Sequence, residues 1–188
     1  MPRPEAEALA LPGVMLLKPQ VFRDDRGYFF ESHNAQSWSE VGVDVAFVQD
    51  NTSLSTKHTL RGLHAQIRQP QAKLVRVLDG VIFDVAVDIR KGSPTFGQWA
   101  GATLSAEGFE QLFIPAGFAH GFCVLTESAR VAYKVSDFYD PGGEISLAWN
   151  DPEVGIEWPI EAPLLSDKDA SAKGLSDLHP LLPTWKAP

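Results

Sequence analysis

The sequence contains a single cysteine and no long hydrophobic stretch. Cys123 lies alone in the apolar run 121–125, which excludes an internal disulfide and predicts a buried structural thiol. No run reaches the roughly 18 apolar residues of a membrane-spanning helix, and no secretory leader pattern is recognisable. These absences predict a soluble, cytoplasmic protein that works in a reducing compartment without a membrane partner.

Positive charge is also scarce. The chain carries 16 Lys and Arg against 24 Asp and Glu, for a net charge of −8. Because no basic stripe is present, nucleic acid is not an expected partner. Any phosphate group must therefore be held by a few inward-pointing cations in a local pocket.

The length of 188 residues and the 44% hydrophobic content suffice for one well-filled core. A single domain is expected over residues 1–188. Residues 1–13 are predicted to form an N-terminal arm and residues from about 176 to 188 a C-terminal tail.

The hydrophobic pattern is mostly that of short strands separated by Gly and Pro turns such as Asp79-Gly80. This spacing favours an all-β sandwich or barrel. Two short helices are expected, over 35–41 with Asn34 as N-cap, and from Ser166 onward. The predicted strands are 14–17, 27–31, 46–50, 74–78, 81–89, 111–114, 122–125, 130–135 and 145–149.

Strand alternation predicts which side chains share a face. The odd-numbered residues of 81–89 are apolar and predict a core face, so Asp84 and Asp88 are expected on the other face as solvated or sheet-pairing charges. Tyr133 alternates with two valines, which leaves a core tyrosine and a functional hydroxyl both open. Lys73 also alternates with valines, and burial of its ammonium is costly unless the charge is paired, which favours a functional role for this residue.

The segment Leu60-Arg-Gly-Leu-His64 combines a guanidinium and an imidazole on an apolar strand. Such a pair suggests a site that holds an anion and moves a proton. Arg61 and His64 have opposite parity, however, and they share a cavity only if Gly62 marks a bulge or a twist.

A second cue is Pro115-Ala-Gly-Phe-Ala-His120, which has the Pro-x-Gly-x-x-His spacing of the second cupin motif. Metal-binding cupins add an earlier His-x-His and a Glu, whereas here the earlier segment is His64-Ala-Gln66. Two separated histidines without a third donor make a poor metal site. The sequence therefore predicts a cupin-type barrel without a metal.

Two further motifs admit two interpretations. Arg26, in a turn with Asp24 and Asp25, is either a pocket cation or a surface arginine paired with its neighbours. The segment 166–169 is either a solvated helix start or a source of carboxylates that orient a histidine.

Ten segments, taken together, resemble the dTDP-4-dehydrorhamnose 3,5-epimerase family, in the same order and across residues 14 to 175. They are FRDDRG at 22–27, FVQDN at 47–51, LRGLH at 60–64, QAKLVRV at 71–77, DVAVDIR at 84–90, SPTFG at 93–97, IPAGFAHGF at 114–122, YK at 133–134, WNDP at 149–152 and LSDKD at 165–169.

The resemblance implies a cupin-type double-stranded β-helix, or jelly roll, with short peripheral helices. It also implies a homodimer that needs no cofactor and acts on a dTDP-linked 4-keto-6-deoxyhexose. His64 resembles the catalytic base, Asp169 the carboxylate that orients it, Tyr133 the acid and Lys73 the group that steadies the enolate. The residues that resemble substrate contacts are Phe22, Arg26, Glu31, Gln49, Asn51, Arg61, His120, Tyr139, Glu144 and Lys168, with Arg26 and Glu31 expected to reach the partner's site.

One position departs from the family pattern. Many members have an aromatic residue after the histidine, but this chain has Ala65. If that aromatic residue lines the sugar pocket, its loss leaves room for a different hexose or weakens control of one inversion. An epimerase acting at C3 alone or C5 alone therefore stays open, although Tyr133 favours the double epimerase. A catalytically silent nucleotide-sugar binder and a metal-dependent oxygenase are the alternatives from other classes.

Overall fold

The computed structural model describes residues 3–186. Residues 1–2 and 187–188, the ends of the predicted arm and tail, lie outside the described residues. The strands are β1 (Glu5–Ala8), β2 (Met15–Lys18), β3 (Val21–Asp24), β4 (Gly27–Phe30), β5 (Gln49–Thr56), β6 (Leu60–Gln66), β7 (Lys73–Asp79), β8 (Val81–Asp88), β9 (Trp99–Ser105), β10 (Gln111–Ile114), β11 (Phe118–Val124), β12 (Ser128–Val135) and β13 (Glu144–Ser146).

The strands form two antiparallel sheets and a separate hairpin. One sheet has the order β1-β2-β10-β7-β12-β5, the other the order β13-β6-β11-β8-β9, and β3 pairs with β4. Apolar side chains of both sheets, such as Val75, Val131, Ile82 and Phe122, form the core between them. This is the predicted all-β jelly roll of the cupin type, and burial of these facing side chains holds the two layers together.

The chain turns at Gly80, as the Asp-Gly signal predicts, and passes there from β7 in the larger sheet to β8 in the smaller one. Gly80 has φ of 81°, and a Cβ there would lie 2.2 Å from the carbonyl oxygen of Ser128. Only glycine combines this backbone conformation with so close an approach.

Strand β8 corrects one prediction. Ile82 and Ala86 face the core between the sheets, so β8 is apolar on both faces and Asp84 and Asp88 are fully buried rather than solvated. Asp88 accepts hydrogen bonds from the side chains of Arg90, Ser93 and Thr95 in the following turn. These bonds hold the pKa of Asp88 below its usual value, although burial alone acts to raise it.

The predicted helix caps are confirmed. In α1 (Ala35–Ser39) the Asn34 side chain accepts hydrogen bonds from two backbone amides, and in α2 (Asp167–Ala170) Ser166 accepts from the amide of Asp169. The chain continues through α3 (Leu175–Leu178) and a 3-10 turn (His179–Leu181). Within the described part of the chain, no helix combines the length and hydrophobicity needed to cross a membrane.

The segments predicted as arm and tail contact the body of the protein. Strand β1 pairs with β2 at the edge of the larger sheet, and Leu11 is buried in the core between the sheets. Leu182, near the other end, packs into a second cluster outside the smaller sheet. Cys123 is buried as predicted, and burial raises the pKa of its thiol to about 11.

Candidate active site

A cleft of about 450 Å³ opens between the two sheets. The larger sheet contributes β5, β7 and β12, and the smaller sheet contributes β6, β11 and β13. Four of its lining residues were expected to be catalytic and seven more to contact substrate, so most of the candidate site residues meet here. The lining residues are Gln49, Asn51, Ser53, Arg61, His64, Ala65, Gln66, Gln71, Lys73, His120, Phe122, Tyr133, Tyr139, Glu144, Ser166, Lys168 and Asp169.

His64 and Asp169 form a close pair although they lie far apart in the sequence. His64 Nε2 lies 2.6 Å from Asp169 Oδ1. Burial alone acts to raise the pKa of Asp169, but the hydrogen bond and charge of His64 outweigh it and lower that pKa. With Nε2 bonded to the carboxylate, Nδ1 is the nitrogen left free to exchange a proton.

The cap of α2 explains how Asp169 reaches the histidine. The Ser166 hydroxyl accepts from the Asp169 amide and fixes the first turn of this helix. Asp169 is only 4% exposed, and its side chain bonds across to β6. The Ser-Asp-Lys-Asp motif is therefore both a helix start and a source of the orienting carboxylate.

The conflict of parity between Arg61 and His64 is resolved by a bulge, as predicted. In the pairing of β6 with β11, His64 lies opposite His120 while Arg61 lies opposite Phe122, so β6 holds one extra residue. Gly62 has φ of 112°, and a Cβ there would lie 2.6 Å from the His120 carbonyl oxygen. The bulge turns both side chains toward the cleft, where Arg61 Nε also donates to Ser55 Oγ at 2.9 Å.

Lys73 lies on the opposite wall, on β7. It is 7% exposed, and burial lowers the pKa of its ammonium from 10.5 to about 8, while the negative charge of Glu144 opposes the shift. The predicted inward orientation is confirmed. A cation that can lose its proton close to physiological pH thus faces the histidine across the cleft.

Tyr133 lies beside Lys73 on the next strand of the same sheet, since β12 pairs with β7. Its ring packs against the core between the sheets, and its residue borders the cleft. Burial raises the pKa of the phenol, a shift that Arg61 opposes. The phenol therefore keeps its proton at neutral pH and can donate it.

A second histidine–carboxylate pair lies in the same cleft. His120 Nε2 lies 2.6 Å from Oδ1 of the fully buried Asp84. The other oxygen, Oδ2, has no hydrogen-bond partner within residues 3–186. Sequence reasoning missed Asp84 because the odd-numbered face of β8 was taken as the only buried one; the apolar residues Ile82 and Ala86 flanking it were the available signal.

Polar residues at the rim of the cleft bond to one another. Glu144 Oε2 accepts from Lys168 Nζ at 2.9 Å and from the Tyr139 hydroxyl at 3.2 Å. On β5, Gln49 Nε2 donates to Asn51 Oδ1 at 2.9 Å. All five belong to the set expected to contact substrate.

Three of the expected contacts lie elsewhere. Phe22 and Arg26 belong to the β3–β4 hairpin and line a separate hollow. The Arg26 side chain is 90% exposed and pairs with Asp24 at 2.6 Å. Glu31 follows the hairpin and accepts from the Asn34 side chain. In the part of the chain that the structure describes, these residues do not line the cleft.

Ala65 borders the cleft, but its side chain is buried elsewhere. It lies opposite Ile145 in the pairing of β6 with β13, and both belong to the cluster outside the smaller sheet. The methyl group therefore points away from His64 and the cleft. An aromatic ring at this position has to fit into that outer cluster.

The cleft residues can act on a substrate that bears an acidic C–H bond. A histidine held by a carboxylate on one wall can take a proton, and a protonated phenol on the other wall can return one. Lys73 can stabilise a negative oxygen between them. Among residues 3–186, no group of three or more His, Cys, Asp or Glu side chains is arranged to hold a metal ion.

Comparison with known proteins agrees with this chemistry. A sequence model of the dTDP-4-dehydrorhamnose 3,5-epimerase family matches residues 8–177. A dTDP-4-dehydrorhamnose 3,5-epimerase of Pseudomonas aeruginosa is 57% identical over 92% of this chain and 97% of its own length.

Solved structures are similar as well. A dTDP-6-deoxy-D-glucose-3,5-epimerase of Legionella pneumophila, in complex with dTDP-4-keto-L-rhamnose, superposes with a TM-score of 0.95 at 48% identity, over 98% of this chain and all of that one. A 3'-monoepimerase of Streptomyces bikiniensis, in complex with dTDP-quinovose, superposes with a TM-score of 0.88 at 35% identity, over 98% of this chain and 93% of that one.

Proposed function

This chain belongs to the dTDP-4-dehydrorhamnose 3,5-epimerase family, and we propose that its cleft carries out the reaction for which the family is named. The protein is an isomerase that inverts C3 and C5 of dTDP-4-dehydro-6-deoxy-D-glucose to give dTDP-4-dehydro-L-rhamnose, for dTDP-L-rhamnose biosynthesis. The observation that carries the proposal is the His64–Asp169 pair on one wall of a cleft whose other wall holds Tyr133 and Lys73.

The substrate makes this chemistry possible because both reacting carbons are adjacent to the C4 ketone. Removal of the proton at C3 or C5 leaves an electron pair that delocalises onto the C4 oxygen as an enolate. The Lys73 ammonium stabilises that developing charge more than it stabilises the neutral ketone, which lowers the barrier. Hydrogen leaves and returns as a proton, so no redox cofactor takes part.

Inversion requires that the proton leave one face of the sugar and return to the other. His64 Nδ1 takes the proton, while Asp169 fixes the ring and stabilises the imidazolium that forms. Tyr133 delivers a proton to the opposite face, because it is carried by the opposing sheet. The phenol and the imidazolium then exchange protons with solvent before the second carbon reacts.

The remaining polar residues of the cleft hold the nucleotide and the sugar. Arg61 supplies a positive charge for the diphosphate, and His120 a ring nitrogen for a substrate oxygen. The other proposed contacts are Gln49, Asn51, Tyr139, Glu144 and Lys168. These few inward groups give an acidic protein a local site for an anionic ligand.

The working unit is proposed to be a cytoplasmic homodimer. The β3–β4 hairpin exposes Phe22, Tyr28 and Phe29, and it directs Arg26 away from its own cleft. In a dimer, the surface of a second copy covers these exposed aromatic residues. Arg26 and Glu31 then contribute to the active site of that second copy. Nucleic acid and membranes are not proposed as partners.

A single-position epimerase is the second candidate, because a 3'-monoepimerase has a similar structure at 35% identity. The double epimerase is favoured by the retained acid Tyr133 and by the 57% identity to a 3,5-epimerase.

The test is proton NMR of the reaction with dTDP-4-dehydro-6-deoxy-D-glucose in deuterated water. Deuterium at both C3 and C5, together with formation of the L-rhamno product, is the expected result. Deuterium at one carbon alone assigns the restricted epimerase. Absence of label at both carbons, in enzyme that still binds dTDP, leaves a nucleotide-sugar binder and contradicts the proposal.

A further inference from the structure

The side chain of Gln66 is buried without satisfying its polar atoms. The residue is 7% exposed, and neither Oε1 nor Nε2 has a hydrogen-bond partner in the part of the chain that the structure describes. A buried amide group whose donor and acceptor both lack partners destabilises the folded protein. Burial of such an amide in the wall of a cleft therefore calls for a partner that arrives with a ligand.

The position of Gln66 in the fold places it beside the reacting atoms. It follows His64 by two residues on β6, so both side chains leave the same face of the strand, about 6.7 Å apart. Across the sheet it pairs with Glu144, another residue of the cleft. Its Oε1 lies against Gly143, 3.1 Å from where a Cβ of that glycine would stand.

We propose that Gln66 orients the substrate, because its carboxamide hydrogen-bonds to a hydroxyl group of the sugar ring. The inference rests on the proposed function. A hydroxyl both donates and accepts, which matches an amide that offers one donor and one acceptor. Rotation of the amide toward a ligand breaks no hydrogen bond, since the amide makes none with residues 3–186.

The sugar is favoured over the diphosphate as the group that Gln66 binds. The carbon that reacts has to lie about 3–3.5 Å from the base, so a ring positioned at His64 extends to within reach of its neighbour on the strand. Anionic oxygens are better served by the charged Arg61 in the same cleft. A neutral amide at this distance fits a neutral hydroxyl group.

If Gln66 binds the sugar, its substitution by an apolar residue should stabilise the protein and at the same time lower its activity. In Gln66→Met, two unpaired polar atoms are replaced by apolar ones of similar size, so Tm is expected to rise by about 2–4 °C. The loss of the contacts to the sugar is expected to lower kcat/KM roughly tenfold. Binding of dTDP, which lacks the sugar, should stay within about twofold of wild type by calorimetry.

Gln71 provides the matched control. It is a second buried glutamine of the same cleft, but its Nε2 donates to the Asp137 carbonyl oxygen at 2.7 Å. Gln71→Met leaves that oxygen unpaired, so its Tm should fall where the Tm of Gln66→Met rises.

Three results would overturn the inference. The first is an unchanged kcat/KM in Gln66→Met, and the second is a loss of dTDP affinity equal to the loss in kcat/KM, which assigns Gln66 to the nucleotide. The third is a fall in Tm in both Gln66→Met and Gln66→Leu, which shows a structural role. Wild-type enzyme that is inactive on the sugar refutes the proposed function instead, while the Tm comparison with Gln71→Met still tests the cost of the unpaired amide.

Discussion

Replacing Lys73 with methionine removes the buried ammonium that faces His64 across the cleft. If this cation stabilises the enolate, kcat should fall by roughly 10²–10³, the loss typical of one preorganised electrostatic contact. The free energy of unfolding at pH 7, in contrast, should rise in this variant. Burial lowers the pKa of Lys73 from 10.5 to about 8. At about 1.36 kcal/mol for each pKa unit, holding it charged at pH 7 costs about 3 kcal/mol, and Lys73→Met recovers that cost.

The pH dependence follows from the same shift. Between about pH 8 and 10.5 the unfolded chain keeps a proton on Lys73 that the folded protein has lost, so the free energy of unfolding rises with pH in this window. The contribution is constant below pH 8, where both states are protonated. The rate of the reaction, in contrast, should decline above about pH 8, because the neutral amine no longer stabilises the enolate.

Urea unfolding at pH 7 and 9.5 and steady-state rates from pH 6 to 9.5 measure both effects. Glu144→Gln is the control, because loss of this negative charge removes the group that raises the pKa of Lys73. Its decline in activity should begin at a lower pH. A Lys73→Met enzyme that keeps the wild-type kcat would contradict the catalytic role of this ammonium, and one that unfolds more easily at pH 7 would contradict its cost to stability.

Three further substitutions test neighbouring groups. Asp169→Asn should lower kcat by roughly 10²–10⁴ in a coupled assay with little change in dTDP affinity, because His64 loses the carboxylate that fixes its tautomer; unchanged kcat contradicts this. Tyr133→Phe should still incorporate deuterium but with much less inversion, as NMR of the recovered sugar can show. Asp84→Asn should change the ¹⁵N shifts of His120 and weaken substrate binding, and identical spectra would rule out control of that ring by Asp84.

Much of the fold was predictable because it follows from local patterns. The apolar run of β8, the Asp-Gly turn after β7 and the caps at Asn34 and Ser166 are all encoded within a few residues. Strand β5 was predicted over 46–50 but spans Gln49–Thr56. Its sequence is polar because one face lines the cleft and the other is exposed, so hydrophobic periodicity gives no signal there.

Strand β9 was missed for another reason. Most of its residues between Trp99 and Leu104 are small, and they include Gly101, where a Cβ would lie 2.6 Å from the Phe83 ring. A strand whose side chains are small because a ring from its neighbour fills the space has no periodic pattern of its own. Only the pairing with β8 shows it.

In the candidate site, too, some features could be predicted from the sequence and others could not. The bulge at Gly62 could be predicted, because two functional side chains of opposite parity had to reach one cavity. The buried partner of His120 could not be predicted from alternation, since Asp84 lies on a strand that is apolar on both faces. The unpaired amide of Gln66 is visible only when every neighbour is known.

In the proposed mechanism, His64 removes the protons at C3 and C5. This role of His64 is tested most directly by deuterium incorporation from deuterated water in His64→Ala, with dTDP binding measured on the same preparation. We expect no incorporation at either carbon above background, with dTDP affinity within about threefold of wild type. Incorporation at both carbons near the wild-type rate would contradict it, since another group would then be the base.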